Sequence, residues 1–301
     1  MARILICEEL NVRLPAAERG EQLDYIPNLW SRRSDLLIEA ATASALVVRN
    51  RTRVDEELLL AASSVRAIGR LGSGLDNIDT MALQRHGISL VDGGGLNSRA
   101  VAEYVMGAML AVARHLPRSD RELRAGLWRG RVGLEMKGQT LGVIGLGATG
   151  SEVCRLGLAL GMRVLGYDAL ALAPAIPGVE RVTLECLLAR SLVITVHVPL
   201  SEDTRALIGA HEIQLMPPGA ILINAARGGI IDEAALSAAL LSGHIGGAAL
   251  DVRTVEPPPL SDPLARFDQV LLTPHIAGWT ASSQQAIAEH VLRGIRTAIR
   301  A

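Results

Sequence analysis

Short apolar runs rich in β-branched residues alternate with longer segments of helical periodicity along the whole chain. Four such runs occupy the first third, at residues 3–7, 45–50, 65–71 and 88–92. Six more follow, at residues 140–145, 163–168, 192–198, 220–226, 247–252 and 269–274. This alternation is typical of parallel sheets covered by helices on both faces. The sequence therefore predicts an α/β fold with two doubly wound parallel sheets.

Composition narrows the class of protein. Aromatic residues make up only 2% of the 301 residues, so the core must be built from Leu, Ile, Val and Ala, as in helices packed on a parallel sheet. A net charge of -1 argues against nucleic acid as a partner. No apolar run reaches the roughly 18 residues of a membrane span, and the N-terminus lacks the pattern of a signal peptide. Cys7, Cys154 and Cys186 match no metal or redox motif. We therefore expect a cytoplasmic protein with inert thiols and no metal site.

The expected division into domains depends on two helical segments. Residues 98–116 form a long apolar-striped pattern that opens at Asn97 and Ser98. A last helix at about residues 280–300 follows the final strand and has no strand after it. We expect that helix to return to the first domain. The predicted domains are therefore residues 1–96 with 280–301, and residues 97–279.

A glycine-rich turn marks a dinucleotide site. Gly145, Gly147 and Gly150 form G-x-G-x-x-G directly after a predicted strand and at the start of a predicted helix. The first glycine permits the tight turn, the second lets the backbone approach a pyrophosphate, and the third permits close packing of helix on strand. The N-terminus of the helix offers backbone N–H groups to the anion.

Asp168 ends the next predicted strand, 18 residues after Gly150. A carboxylate there accepts hydrogen bonds from the adenine ribose and repels a 2′-phosphate. Ala169, Leu170 and Ala171 supply no arginine to compensate. The sequence therefore favours NAD over NADP.

Three ionisable residues follow successive strands of this second series, at the edge where open α/β sheets bind ligands. Arg227 follows the strand at 220–226, Glu256 lies five residues beyond Asp251, and His275 follows the strand at 269–274. Each alone has an ordinary structural explanation, but together they suit hydride transfer at a 2-hydroxy acid. An arginine fixes the carboxylate in a bidentate manner. A histidine exchanges the hydroxyl proton near neutral pH, and a glutamate fixes its tautomer and favours its protonated form.

The stretches "NAARGGIIDE" (224–233), "DVRTVEPPP" (251–259), "TPHIAGWT" (273–280) and "IGRLGSGLDNID" (68–79), with the glycine motif, resemble the D-isomer-specific 2-hydroxyacid dehydrogenases. The resemblance covers nearly the whole chain. It implies an NAD-dependent enzyme with catalytic Arg227, Glu256 and His275. It also implies a Rossmann NAD-binding domain inserted in a flavodoxin-like substrate domain, and a homodimer. Arg253 departs from the family, which commonly has an aromatic or apolar residue there.

The resemblance also supplies binding residues. Asp251 resembles the family aspartate that binds the nicotinamide carboxamide, and residues 197–204 resemble the loop on the adenine side. The backbone of residues 71–74 resembles the loop that grips the substrate carboxylate, although a plain glycine turn is the alternative. The full set of expected cofactor contacts is Gly145, Gly147, Ala148, Thr149, Gly150, Asp168, His197, Val198, Pro199, Thr204, Ala225, Asp251 and Gly278.

Two arginines in the first domain bear on the substrate. Arg49 ends a predicted strand, and Arg70 precedes the glycine turn formed by Leu71, Gly72, Ser73 and Gly74. Similar arginines lie near the distal anion in the phosphoglycerate dehydrogenase branch, and "LICEELN" and "YIPNLWSRR" resemble the sulfolactate dehydrogenase subgroup. We therefore expect a small 2-hydroxy or 2-oxo acid with a second anionic group. The alternative for Arg49 and Arg70 is that both are ordinary surface arginines. The alternatives for the function are a glyoxylate or hydroxypyruvate reductase and a non-catalytic NAD-sensing corepressor.

Overall fold

The computed structural model of the chain describes residues 1–10, 12, 14–170 and 175–300. These residues form two compact units. The first unit consists of Met1–Asn97 and Trp279–Ala301, and the second of Ser98–Gly278. The chain therefore leaves the first unit after Asn97 and returns to it at Trp279.

The amino-terminal segment of the first unit supplies all the described strands of its sheet. The elements in chain order are β1 (Ala2–Ile6), β2 (Glu21–Tyr25), a short 3-10 helix (Leu29–Ser31), α1 (Arg33–Ala40), β3 (Ala45–Val48), α2 (Glu56–Ala61), β4 (Ala67–Arg70), α3 (Thr80–Arg85) and β5 (Ser89–Val91). The strands pair in parallel in the order β2-β1-β3-β4-β5, which is the order of flavodoxin-like folds.

The second unit is also built on a parallel sheet. Its elements are α4 (Ser98–Ala113), α5 (Leu116–Arg124), β6 (Thr140–Ile144), α6 (Ala148–Ala159), β7 (Arg163–Tyr167), β8 (Val179–Arg181), α7 (Leu184–Arg190), β9 (Val193–Val196), α8 (Ala210–Leu215), β10 (Ala220–Asn224), α9 (Glu233–Ser242), β11 (Ile245–Leu250), a 3-10 helix (Pro263–Arg266) and β12 (Val270–Leu272). Over the described residues, the strands have the order β12-β11-β10-β9-β6-β7-β8. The strand order reverses between β6 and β9, which is the switch point where such sheets bind dinucleotides.

Both faces of the first sheet are buried along its central strands, which explains why β1, β3 and β4 are mostly apolar. Ile4 and Ile6 of β1 pack with Val291 and Ile295 of the last helix, α10 (Ala281–Arg300). Leu5, which points to the opposite face, packs among residues of α1, α2 and α3. The final helix of the chain therefore belongs to the core of the first unit.

The second sheet is likewise covered on both faces. Helices α4 and α6 pack on one face, where Val105 and Val153 contact the cluster around Leu141 and Val143. Helices α7, α8 and α9 pack on the other, around Ile144 and Leu222. Covered faces of this kind confirm the predicted α/β class with parallel sheets.

Three details differ from the expectation. The sequence predicted neither β2 nor β8, because both are edge strands with half-exposed, charged sequences rather than apolar runs. The helix expected over residues 98–116 ends at Ala113. His115 takes a left-handed conformation with φ 54°, and Pro117 lies in the first turn of the separate helix α5.

No helix among the described residues combines the length and the apolar character needed to cross a membrane.

Candidate active site

The three predicted catalytic residues lie in neighbouring loops of the second unit. Strands β10, β11 and β12 are adjacent and parallel, so the loops after them leave the same edge of the sheet. Arg227 lies in the loop after β10, Glu256 in the loop after β11, and His275 in the loop after β12.

His275 and Glu256 form a hydrogen bond at this edge. The Nδ1 atom of His275 lies 2.8 Å from Oε2 of Glu256. The two side chains are 36% and 35% exposed, so the pair is accessible from solvent. Because Glu256 occupies Nδ1, the opposite ring nitrogen, Nε2, is the one available to a substrate. The backbone of His275 has φ 57°, a left-handed conformation that costs free energy for any residue except glycine.

The surroundings of Glu256 keep it ionised. Burial by itself raises the pKa of this carboxyl group, but the hydrogen bond with His275 and a backbone N–H from Arg253 outweigh it. The positive charges of His275 and Arg227 act in the same direction, so the pKa of Glu256 lies below its ordinary value. The Oε1 atom accepts the Arg253 N–H at 2.9 Å. A charged Glu256 can therefore hold the imidazole ring in one tautomer and one orientation.

A side chain that sequence reasoning missed shapes the Arg227 turn. Asn224, at the end of β10, is 2% exposed. Its Nδ2 donates to the Arg227 carbonyl at 2.8 Å, and its Oδ1 accepts the Ala226 N–H at 3.0 Å. Asparagine is favoured in such turns, so its position directly after the apolar run was an available signal. The Nη1 of Arg227 donates to the Ala226 carbonyl at 2.6 Å.

Asp251 fixes the loop that carries His275. This carboxylate is 1% exposed. Its Oδ1 accepts from the Thr273 hydroxyl at 2.6 Å and from the Ile276 N–H at 2.8 Å, and its Oδ2 accepts from the Ala277 N–H at 2.7 Å. Its carbonyl accepts the His275 N–H at 2.8 Å. A carboxylate has about four lone pairs, so one position on Oδ2 is left for the nicotinamide carboxamide that the resemblance implies.

A second missed contact extends this network into helix α4. The Tyr104 hydroxyl lies 2.5 Å from Oγ1 of Thr273. Because the single hydroxyl proton of Thr273 is donated to Asp251, Tyr104 must be the donor in this contact. Burial raises the pKa of Tyr104 to about 12, so it keeps the proton that it donates.

The glycine motif has the geometry of a dinucleotide cradle. A Cβ on Gly150 would overlap the Gly145 carbonyl, so helix α6 lies as close to the turn as a glycine permits. A Cβ on Gly147 would meet no atom of the chain within 4 Å. The space in front of Gly147 is therefore open, at the N-terminus of α6, where a pyrophosphate would lie. Ala148 and Thr149 form the first turn of this helix.

Asp168 stands beside that turn at the end of β7. Its Oδ2 accepts the Leu146 N–H at 2.7 Å, and its Oδ1 accepts the Leu170 N–H at 2.8 Å. These bonds hold the carboxylate at the mouth of the glycine turn and leave lone pairs for ribose hydroxyls. Ala171, part of the argument for NAD over NADP, lies outside the described residues. The residues present fit the cofactor.

The loop at residues 197–204 follows β9, next to the glycine turn. The His197 N–H donates to the Ile144 carbonyl at 2.7 Å. Burial lowers the pKa of His197 to about 4, so its ring is neutral near pH 7. The Thr204 hydroxyl donates to the Pro199 carbonyl at 2.6 Å and closes the loop. Three expected cofactor contacts of the second unit remain. Val198 lies after β9, Ala225 directly follows β10, and Gly278 is the last residue of the unit.

The candidate substrate arginines lie at the carboxyl edge of the first unit's sheet. Arg49 directly follows β3, and Arg70 ends the adjacent strand β4. Arg49 is 8% exposed. Its guanidinium donates to the Glu9 carbonyl at 3.0 Å and to the Gln284 side-chain oxygen at 3.4 Å, and lies 4.5 Å from the centre of the Trp279 ring. Sequence reasoning missed these three partners, which are distant in the chain.

The glycine turn after β4 offers fewer backbone donors than the sequence suggested. The Leu71 N–H donates to the Val48 carbonyl and the Gly72 N–H to the Arg70 carbonyl. Within the described part of the chain, the N–H groups of Ser73 and Gly74 have no such acceptor. Of the four residues expected to bind a carboxylate through the backbone, Ser73 and Gly74 are therefore the ones whose N–H groups remain as candidates. Arg70 itself donates from Nη1 to the Leu71 carbonyl at 3.1 Å.

Across residues 1–10, 12, 14–170 and 175–300, no group of three or more His, Cys, Asp and Glu side chains is arranged to hold a metal ion.

Comparison with known proteins identifies relatives along the whole chain. Residues 106–277 match the family described as D-isomer specific 2-hydroxyacid dehydrogenase, NAD binding domain. The chain is 41% identical over 286 residues to the D-3-phosphoglycerate dehydrogenase of Archaeoglobus fulgidus, with 94% of this chain and 54% of that protein covered. It is 40% identical over 305 residues to the (S)-sulfolactate dehydrogenase of Chromohalobacter salexigens, with 99% of each covered. Among solved structures, the TT0316 protein of Thermus thermophilus is 30% identical, with a TM-score of 0.91 over 99% of this chain and 97% of that one.

These matches confirm the resemblance seen in the motifs, the Rossmann architecture of the second unit and NAD as its cofactor. The chain spans about half the length of the phosphoglycerate dehydrogenase and nearly all of the sulfolactate dehydrogenase. The family match covers 172 of the 301 residues, from 106 to 277. The chain therefore belongs to the D-isomer-specific 2-hydroxyacid dehydrogenase family.

Proposed function

We propose that this protein interconverts a 2-hydroxy acid and the corresponding 2-oxo acid by hydride transfer with NAD. The observation that carries the proposal is the His275–Glu256 hydrogen bond, which lies at the same edge of an NAD-binding sheet as Arg227. A charged donor, a proton carrier and a carboxylate that orients it are the groups that this reaction needs.

Each residue then has a defined task. Bound NAD would accept the hydride when the 2-hydroxy acid is oxidised, and bound NADH would donate it when the 2-oxo acid is reduced. In the reductive direction, His275 gives the proton on Nε2 to the carbonyl oxygen while the carbon receives the hydride. In the oxidative direction, the neutral imidazole takes the hydroxyl proton. Glu256 keeps its charge and balances that of the imidazolium, and Arg227 binds the substrate carboxylate.

The surroundings of Arg49 in the first unit favour a substrate that carries a second anionic group, as sulfolactate and 3-phosphoglycerate do. The guanidinium of Arg49 is bound by two neutral oxygens and an aromatic ring, and over the described residues no carboxylate forms an ion pair with it. Burial lowers the pKa of Arg49, although the charges of Glu8 and Glu9 act in the opposite direction. We propose that Arg49 and Arg70 bind a sulfonate or phosphate and that the Ser73 and Gly74 N–H groups bind the carboxylate.

A substrate panel with Arg49→Met tests this assignment. We expect the variant to raise KM for sulfolactate and 3-phosphoglycerate by at least about tenfold, the effect of losing a charge-assisted hydrogen bond, and to leave KM for lactate within about twofold. Arg51→Met is the matched control, because the Arg51 side chain is exposed and stacks on Trp30 instead. Equal effects on monoanionic and dianionic acids would refute the anion site. A wild-type protein that binds NADH yet turns over no acid would favour the corepressor alternative.

We further propose a homodimer formed through the second unit. Helix α5 and the segment after it expose large apolar side chains, among them Leu123, Trp128 and Val132 at 55%, 90% and 95%. A second copy is a suitable cover, since exposed apolar side chains in one segment are typical of subunit interfaces. Light scattering should give twice 31.9 kDa for the wild type and the monomer mass for Trp128→Glu with Val132→Glu. Leu241→Glu, exposed on α9, should remain dimeric. A monomeric wild type would contradict the proposal.

A further inference from the structure

Arg253, the residue that departs from the family pattern, is buried in a network of carboxylates. Its side chain is 8% exposed, in the loop after β11. The Nη1 donates to Oδ2 of Asp262, and the Nη2 donates to Oδ1 of Asp262 at 2.9 Å and to Oε2 of Glu233 at 2.8 Å. Such paired, charge-assisted bonds are stronger and more directional than single neutral ones.

Both acidic partners are themselves fixed to the fold. Asp262 is 6% exposed, and its Oδ1 accepts the Leu264 N–H at 3.0 Å, where a 3-10 helix begins. Glu233 begins helix α9, and its Oε1 accepts the Thr254 N–H at 2.7 Å and the Thr254 hydroxyl at 3.0 Å. The network of Arg253, Asp262, Glu233 and Thr254 therefore joins both ends of the loop after β11 to α9.

Two parts of the candidate site lie directly against this network. The Arg253 N–H donates to Oε1 of Glu256, whose other oxygen holds His275. A Cβ on Gly228 would overlap the Arg253 carbonyl, so the turn that carries Arg227 packs backbone to backbone on Arg253. The position of the Arg253 backbone therefore determines the position of both loops.

We propose that Arg253 is a positioning residue for the hydride-transfer site. Through Asp262 and Glu233 it holds its own backbone where the Arg253 N–H orients Glu256 and the Arg253 carbonyl supports the Arg227 turn. Within the described residues its guanidinium contacts these two carboxylates and no member of the Arg227, Glu256 and His275 trio. This inference rests on the proposed function, and it assigns a task to a residue that the family pattern leaves out.

The network also bears on how Glu256 titrates. The charged groups that face Glu256 are His275 from the loop after β12 and Arg227 from the loop after β10, and both favour its ionised form. The Arg253 N–H does the same from its own loop. If the loop loosens, Glu256 loses these contacts, which lower its pKa. The effect of burial, which raises the pKa, is then opposed by fewer contacts. The carboxyl group then takes up its proton at a higher pH.

The test replaces Arg253 by Met, which has a similar shape and no charge, and by Lys, which keeps the charge without the paired donors. For Arg253→Met we expect kcat with NADH and the best 2-oxo acid to fall between about 10-fold and about 100-fold, as for other small displacements of catalytic groups. The acidic limb of the kcat profile should move to higher pH, while Kd for NADH stays within about twofold. Arg253→Lys should recover part of both losses. Arg190→Met, which breaks an exposed ion pair with Glu180, should match the wild type.

Several outcomes would overturn the proposal. A lower Tm for Arg253→Met with an unchanged kcat and acidic limb would make Arg253 merely structural. Further movement of the acidic limb when Arg253→Met is added to Glu256→Gln would show that it does not act through Glu256. If Arg253→Met does not fold, Asp262→Asn should produce the same changes in weaker form, and an unchanged limb there would count against the proposal equally.

A measurement without turnover separates this proposal from the function on which it rests. If the wild type turns over no acid, the proposed function fails. The carboxyl carbon signal of Glu256, titrated by NMR in the wild type and Arg253→Met, still tests the positioning. We expect the midpoint to rise in the variant, and equal midpoints would overturn the inference.

Discussion

Replacement of Asp251 by Asn is the sharpest test of how the fold fixes His275, the proposed proton carrier. The carboxylate is 1% exposed and accepts three hydrogen bonds, from the Thr273 hydroxyl and from the Ile276 and Ala277 N–H groups. All three donors belong to the segment that contains His275. In asparagine one of the two carboxylate oxygens is replaced by an NH₂ group, which is a donor. At least one of the three donors then faces another donor instead of an acceptor.

The expected loss of stability follows from this geometry. A buried donor left without an acceptor, together with the loss of a charged acceptor, costs about 3 kcal/mol. For a unit the size of residues 98–278, that corresponds to a fall in Tm of about 6–12 °C. The segment that holds His275 in its left-handed conformation loosens as well, so kcat should fall even where the protein is folded.

Thermal unfolding of the cofactor-free protein, followed by circular dichroism, measures the effect. Asp268→Asn is the matched control, because that carboxylate is 51% exposed and pairs with Arg121 on the surface. It should leave Tm within about 2 °C of the wild type, since exposed ion pairs contribute little. If Asp251→Asn has the same Tm as this control, the hydrogen bonds of Asp251 do not hold the loop.

Two further predictions concern the cofactor side. Gly147→Ala should weaken NADH binding in a fluorescence titration without lowering the cofactor-free Tm, because its Cβ meets no protein atom within 4 Å but fills the space proposed for the pyrophosphate; unchanged binding would contradict that placement. Burial lowers the pKa of His197 from 6.5 to about 4. As the pH falls, the unfolded chain therefore takes up a proton on His197 before the folded protein does, and the folded state loses stability between pH 6.5 and about pH 4. The loss amounts to at most about 3 kcal/mol. The Tm of His197→Gln should therefore fall less than that of the wild type over this pH range, and parallel curves would contradict the assignment.

Much of the fold could be predicted from the sequence because burial on both faces leaves a continuous apolar signal. The runs that became β1, β6 and β10 are apolar at nearly every position, since helices cover both faces of each sheet. The glycine spacing and the polar residues just after strand ends likewise reflect local geometry. Strands β2 and β8 were missed because an edge strand needs no such run.

The contacts that refine the site could not be predicted, because they join residues distant in the chain. Tyr104 and Thr273 are 169 residues apart, and the sequence around each is that of an ordinary helix or strand. Arg253 was visible as a departure, but its partners, Glu233 and Asp262, became apparent only from the packing of α9 and a 3-10 helix. A motif identifies the residues that carry chemistry, whereas their supports depend on tertiary contacts.

The central claim is that His275 exchanges the substrate proton during hydride transfer. Steady-state oxidation of NADH, followed by its absorbance with a panel of 2-oxo acids, tests this most directly in the wild type and His275→Ala. The wild type should turn over at least one acid of the panel. The variant should lose between about 10²-fold and about 10⁴-fold in kcat while it binds NADH as the wild type does. Equal rates for the two proteins, or no turnover of any acid by the wild type, would contradict the claim.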